Sequence, residues 1–274
     1  MKLTTYQKAA VVVVVIVIGL IVAHLSIGNA TNTLNLTSQD NTPVPAYMIN
    51  RLMVPNNVSS AVGIGLGKPL QQVNGTNLTY NGKPEILYMG AEYCPFCAAE
   101  RWPLTIALMR FGTFSGLEYM TSSATDYSPN TPTFTFLHAT YTSKYISFVS
   151  VEMLGNKPVN GSYPTLQTPN ASENALMSKY DGPTASCSTG GCIPFIDFAN
   201  KAVDVGATYD PLSVLDSYSW NTTSENLYNT SSLQSSSIIG QANIFTAEIC
   251  NIDNNTPQSV CGQQYIKRIE SSAG

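Results

Sequence analysis

The chain has 274 residues, of which 43% are hydrophobic and only 11% charged, with a formal net charge of −4. Charged side chains make up roughly 25% of an ordinary soluble domain, so hydroxyls and amides carry much of this surface. The weakly negative balance supplies no basic patch and argues against nucleic acid as a partner.

Lys2 and Lys8 precede an apolar run from Ala9 to Ile27, interrupted by one ionisable residue, His24. A run of about 20 apolar residues crosses a bilayer. The two lysines keep residues 1–8 in the cytoplasm and put the rest outside. An uncleaved transmembrane anchor over 9–27 is expected, because the run is dense in valine and isoleucine and longer than a usual signal core. A cleaved signal peptide, with Gly28-Asn29-Ala30 as its small-residue site, is the rival reading. Residues 28–45 are polar and punctuated by prolines, as in a linker. Residues 46–274 then form the extracytoplasmic domain at the cell membrane.

Ala46 to Met53 reads as a short helix ended before Pro55. Tyr80-Asn81-Gly82-Lys83 has the Asn-Gly signature of a hairpin turn. Glu85 to Ala91 reads as a buried strand, and Cys94 to about Phe111 as a helix stopped by Gly112 and kinked by Pro103. Leu117 to Thr121 is a second core-strand candidate. Pro132 to Phe136 and Tyr145 to Val151 alternate with period two, as strands do. Ser172 to Tyr180 reads as a helix with a Ser or Asn cap. Phe195 to Phe198 and Ala202 to Val205 are short strands around the turn Asn200-Lys201. Everything after Asp210-Pro211 reads as helices and polar loops. This order predicts an α/β sandwich with a helical C-terminal extension from about residue 210.

Six cysteines fall into three close pairs, Cys94/Cys97, Cys187/Cys192 and Cys250/Cys261, as suits an oxidising compartment. Ten N-x-S/T sequons begin at Asn29, Asn35, Asn57, Asn74, Asn77, Asn160, Asn170, Asn221, Asn229 and Asn254, which fits a glycosylated outer surface. Hydroxyls and amides also keep their hydrogen bonds at any pH, whereas carboxylate salt bridges are lost on acidification. The composition therefore suits an acidic exterior as well as it suits a glycan coat.

The strand ending at Ala91 runs into Cys94-Pro95-Phe96-Cys97 at a helix start. There the unpaired N–H groups and the helix dipole stabilise a thiolate. Cys97, one turn on, can resolve a mixed disulfide. Glu92 and Glu100 oppose a Cys94 thiolate if ionised, and Arg101 supports it if its side chain points back. Ala91-Glu92-Tyr93-Cys94-Pro95-Phe96-Cys97 and Ile193-Pro194-Phe195 through Lys201 resemble the thioredoxin superfamily, whose pattern is a strand, a C-x-x-C and a later cis-proline step. The resemblance implies a thioredoxin-like sandwich with extra strands. It also implies that Pro194 is cis and presents its backbone beside the disulfide to receive a substrate strand. More closely, Gly90 to Trp102, Arg110-Phe-Gly-Thr-Phe114, Pro132 to Phe136 and Ala242-Asn243…Cys250…Pro257…Cys261 are similar to an uncharacterised thioredoxin-like family of Sulfolobus-type thermoacidophilic archaea. That likeness implies a fold and a habitat, and no activity. The chain departs from thioredoxin itself at Tyr88, where the family has an aspartate. It departs also in its Pro-Phe dipeptide and in Pro103, one residue later than the family's helix proline.

The expected function is a membrane-anchored extracytoplasmic thiol–disulfide oxidoreductase that oxidises or isomerises exported proteins. Its partners are their thiols or disulfides and a membrane redox partner. The alternative is a non-enzymatic, glycosylated surface or membrane-complex subunit on the same scaffold, with Cys94/Cys97 as a structural pair. Cys187/Cys192, just before Pro194, is either a relay or a staple of the proline loop. Cys250/Cys261 reads as a staple across two helices. A zinc site needs four ligands, and a metal carrier would want a histidine near the C-x-x-C, so neither metal nor cofactor is expected. His138 reads as a satisfied strand histidine, and Trp102, Phe111 and Phe114 as core.

Overall fold

The computed structural model describes residues 36–181 and 191–273. The expected anchor over 9–27, the sequons at Asn29 and Asn35, and Cys187 lie outside the described residues. Among the described residues no helix is long and apolar enough to cross a membrane. Residues Thr37–Gln39 make one 3-10 turn, and a compact unit begins at Asp40.

In chain order that unit contains α1 (Ala46–Leu52), α2 (Asn56–Val62), β1 (Gln71–Gln72), β2 (Thr79–Tyr80), β3 (Lys83–Gly90), α3 (Pro95–Met109), β4 (Gly112–Ser115) and β5 (Glu118–Thr121). There follow β6 (Pro132–Thr135), β7 (Thr140–Ser143), β8 (Ser147–Glu152), α4 (Ala171–Tyr180), β9 (Phe195–Phe198) and β10 (Ala202–Val205). Helices complete it: α5 (Pro211–Val214), α6 (Trp220–Asn226), a π-helical turn (Ser235–Ile239) leading into α7 (Gly240–Ile252), α8 (Gln258–Cys261) and α9 (Gln264–Ala273).

The sheet is mixed, and β3 is its middle strand. β8 runs parallel along one side, from Glu85 opposite Ser147 to Gly90 opposite Glu152. β9 is antiparallel along the other, with Leu87 opposite Asp197. β10 and then β1 extend the sheet beyond β9. A strand paired on both sides and covered on both faces is apolar without alternation, and β3 is buried throughout Ile86–Gly90. The Asn81-Gly82 turn, with φ of 50° and 73°, folds β2 back onto Lys83 as its sequence predicts.

Successive side chains of β3 face opposite layers. Leu87 and Met89 join Val151, Phe195, Val203 and Met177 of α4 in one core cluster. Tyr88 faces the other layer, where α3 lies, and Phe245 of α7 meets Phe198 at 5.3 Å. α4 starts on an Asn170 capping box closed by Glu173. α3 runs through Pro103. Proline has no N–H to give the carbonyl four residues back, and the Ala99 carbonyl instead accepts the Tyr209 hydroxyl at 2.5 Å.

Three expectations change. Leu117–Thr121 does not join the core sheet: β5 pairs with β6 in a separate two-stranded sheet, and β4 with β7 in another. The other edge of β5 is taken by residues 41–44, where Asn41 N–H donates to Tyr119 O and Val44 N–H to Leu117 O, both at 2.9 Å. The linker expected over 28–45 is therefore structured from Asp40 on. The Asp40 carboxylate accepts from Thr121 N–H at 2.8 Å and from Asn156 Nδ2 at 2.9 Å. The C-terminal helices begin at Pro211 as expected and pack on α3, where Arg110 donates to Thr246 at 2.6 Å and Asn243 at 2.9 Å in α7. His138 lies after β6 rather than in it, exposed, with Nδ1 3.1 Å from Glu118 Oε2.

Cys250 and Cys261 form the expected disulfide between α7 and α8, with Cα atoms 5.6 Å apart. Asn57, Asn74, Asn77, Asn160, Asn170, Asn221, Asn229 and Asn254 are all exposed.

Candidate functional site

The end of β3 builds the site. After Gly90 the chain turns through Ala91-Glu92-Tyr93, with Glu92 N–H donating to Leu154 O at 2.8 Å. A Cβ on Gly90 would stand 2.1 Å from Tyr88 Oη, so glycine lets the Tyr88 ring lie beneath the turn. Cys94 is the N-cap of α3 and Pro95 its first residue, where a missing N–H costs nothing.

Cys94 and Cys97 are free thiols, 5% and 0% exposed. Cys97 N–H donates to Cys94 Sγ at 3.3 Å, as a helix N-terminus donates to its cap. The two sulfurs are electrostatically unlike. A hydrogen bond from the Cys97 thiol holds the Cys94 pKa below the ordinary thiol value, against the effect of burial. The Cys97 backbone and the Arg101 guanidinium act in the same direction. Burial drives Cys97 well above its ordinary value.

Arg101 follows Cys97 by one helical turn and so shares its face of α3. Its side chain is fully buried and donates to Glu152 of β8 at 3.0 Å and 2.6 Å. The guanidinium carbon lies 5.5 Å from the Tyr88 ring centroid. Among the described residues, Arg101 Nη1 and Tyr88 Oη have no hydrogen-bond partner. Glu152 Oε1 also accepts from Phe136 N–H at 3.2 Å, and Gln167 Oε1 accepts Glu152 N–H at 2.6 Å. A buried Arg101–Glu152 ion pair, braced from the Phe136 N–H, thus stands one helical turn from Cys97.

The two glutamates expected to oppose the thiolate are held away from doing so. Burial raises the Glu92 pKa, and its carboxyl accepts Thr135 Oγ1 at 2.7 Å. Glu100 points to Thr208, whose N–H and Oγ1 each donate at 3.0 Å. Burial pushes Glu100 up to about 7 and, with Glu100 beside it, pushes Asp204 well above the usual carboxylate range.

The Ile193–Pro194 bond is cis. Cys94 Sγ lies 3.8 Å from Ile193 O, so the proline step and the C-x-x-C stand together. Cys192, next to Ile193, is disulfide-bonded. Trp102 is buried and donates to Pro132 O at 2.9 Å. Phe111 is buried too, and Phe114 stacks on Phe136 at 5.7 Å. Sequence reading passes over Glu152, which sits at the end of an alternating strand 51 residues from Arg101 with no local signal. It passes over Tyr127 and Tyr163 for the same reason.

Chemically the site offers a stabilised sulfur nucleophile, a protonated second thiol beside it, and a backbone carbonyl at the entrance. A family model described as a domain of unknown function (DUF929) matches residues 69–251, more than half of the chain and all of this site. No curated protein and no solved structure matches.

Proposed function

Because the chain belongs to the family described as a domain of unknown function (DUF929), its chemistry must be read from its own residues, and we propose that it is an extracytoplasmic thiol–disulfide oxidoreductase anchored by residues 9–27. The observation that carries the reading is the asymmetry of Cys94 and Cys97, one sulfur favoured as thiolate and its neighbour as thiol. The strand order β8-β3-β9-β10, with β3 and β8 parallel, and the cis Pro194 support a thioredoxin-like arrangement.

In the oxidising direction, a substrate thiolate attacks Cys94 Sγ of a Cys94–Cys97 disulfide. The S–S bond breaks and Cys97 leaves as a thiolate that takes up a proton. A second substrate thiolate then attacks the substrate sulfur of the mixed disulfide, and Cys94 leaves as thiolate. The substrate gains a disulfide and the enzyme pair holds two electrons, which a membrane redox partner accepts. A stabilised Cys94 thiolate favours the reduced pair and so makes the disulfide the better oxidant.

The second reading is a non-enzymatic surface subunit, favoured by the burial of both sulfurs. Thiol trapping of the full chain across a glutathione series separates the two. A pair titrating well above about −300 mV marks a labile catalytic disulfide. A Cys94/Cys97 potential as low as that of Cys250/Cys261 would sink the oxidoreductase reading.

A further inference from the structure

Two aromatic stacks flank Cys94. Tyr93, the residue before it, stacks on Tyr163 with centroids 4.3 Å apart and planes 10° apart. Phe96, between the cysteines, stacks on Tyr127 at 5.6 Å and 10°. The second stack faces solvent: Phe96 is 38% and Tyr127 54% exposed.

Both tyrosines come from segments outside the strands and helices, and both are fixed. Ser123 N–H donates to Tyr93 O at 2.8 Å, tying the 122–131 loop to the residue before Cys94. Tyr163 Oη donates to Ser123 Oγ at 2.8 Å, tying the second tyrosine to the same loop. Within the loop, Ser122 Oγ donates to Ser128 O and Thr131 Oγ1 to Ser128 Oγ, each at 2.9 Å. Tyr127 N–H donates to the adjacent Asp126 Oδ1 at 2.6 Å, and its ring is held by the stack on Phe96. The collar is therefore built, and its rings lose little freedom when a ligand covers them.

We infer that the Phe96–Tyr127 platform is a specificity site for cysteine-bearing polypeptides that carry an aromatic or large aliphatic side chain next to the reacting cysteine. This rests on the oxidoreductase reading and names its substrate class. A substrate cysteine that reacts at Cys94 brings its neighbouring residues within reach of the exposed Phe96 and Tyr127 rings. Asp126, which precedes Tyr127 and accepts its N–H, adds an acidic side chain beside the platform, which disfavours an anionic tripeptide such as glutathione and tolerates a neutral or basic segment. Solvent-facing aromatic area next to a capture point gives affinity through burial and ring–ring contact.

The test uses the reduced full chain and cysteine peptides activated as mixed disulfides with thionitrobenzoate. Cys94 thiolate attacks the peptide sulfur, the S–S bond breaks, and the coloured thionitrobenzoate anion leaves. Cys97 then displaces the peptide thiol, leaving a Cys94–Cys97 disulfide. A Phe-Cys peptide should react about two- to tenfold faster than a Ser-Cys peptide, the range that one ring contact supports. Tyr127→Ala should bring that ratio to about one. Tyr127→Leu, which keeps apolar bulk, should restore part of the preference. Equal rates for the two peptides, or a ratio that survives Tyr127→Ala, would overturn the platform while activated glutathione still reacts and the oxidoreductase reading stands. No reaction with any of the three would overturn both.

Discussion

Arg101 and Glu152 are bound through two hydrogen bonds, at 3.0 Å and 2.6 Å, and no solvent reaches either side chain. Attraction at that depth is offset by the loss of hydration on both ions, so the pair stabilises little as a unit, and breaking it on one side costs about 3–5 kcal/mol. Arg101→Met should lower stability to denaturant by that amount, because Glu152 is left buried and unpaired. It should also raise the Cys94 pKa, since the cation that favours the thiolate is gone. Glu152→Gln leaves the cation unopposed and should lower it. Alkylation rate against pH reads the thiol directly, and parallel profiles in the two variants would exclude an electrostatic role for the pair.

Cys97 acts on Cys94 first through its thiol hydrogen bond. Cys97→Ala should move the Cys94 alkylation midpoint up towards an ordinary thiol, and the variant should accumulate a stable mixed disulfide with substrate peptides. Mass spectrometry of the intact protein finds or fails to find that adduct.

Carboxyl burial sets an unusual pH profile. Burial pushes Glu100 and Asp197 up to about 7 and raises Asp204 far above its ordinary value. A carboxyl whose folded pKa lies above its unfolded pKa stabilises the fold fully below the unfolded value, near 4, and loses that contribution as pH rises through the folded value. Melting temperature should therefore be highest in acid and fall between about pH 4 and pH 7. Asp197→Asn should flatten part of that slope. A melting temperature that climbs over the same interval would contradict the burial of these groups as neutral acids.

The Cys250–Cys261 disulfide closes a short loop between α7 and α8. Replacing both cysteines with serine should cost about 2–3 kcal/mol in the chain-entropy account. Cys94 alkylation should be unchanged. Denaturant titration and alkylation kinetics on the same sample check both halves.

The strand–turn–helix around Cys94 was legible because its signals are local: an apolar run, a cap, a proline at the first helical position. The Asn81-Gly82 hairpin and the helix after Asn170 were legible for the same reason. What escaped is what depends on distant pairing. Arg101 declares that a buried cation needs a counter-charge, and nothing near it in the chain says that Glu152 supplies it. Leu117–Thr121 has the apolar content of a core strand, but its free edge is claimed by residues 41–44, part of a stretch that reads as linker because it is mostly polar and punctuated by prolines. Tyr127 and Tyr163 are two tyrosines among fifteen, singled out only by the loops that carry them to the cysteines.

The hydrogen bonds that hold the 122–131 loop run between hydroxyls, backbone carbonyls and amides. Dissolved ions screen charges and leave such dipolar bonds nearly untouched. The hydroxyl and amide contacts that carry Tyr163 and the 122–131 loop should hold from dilute buffer to molar salt, so that only the part of the selection owed to the Asp126 carboxylate should fade as salt rises.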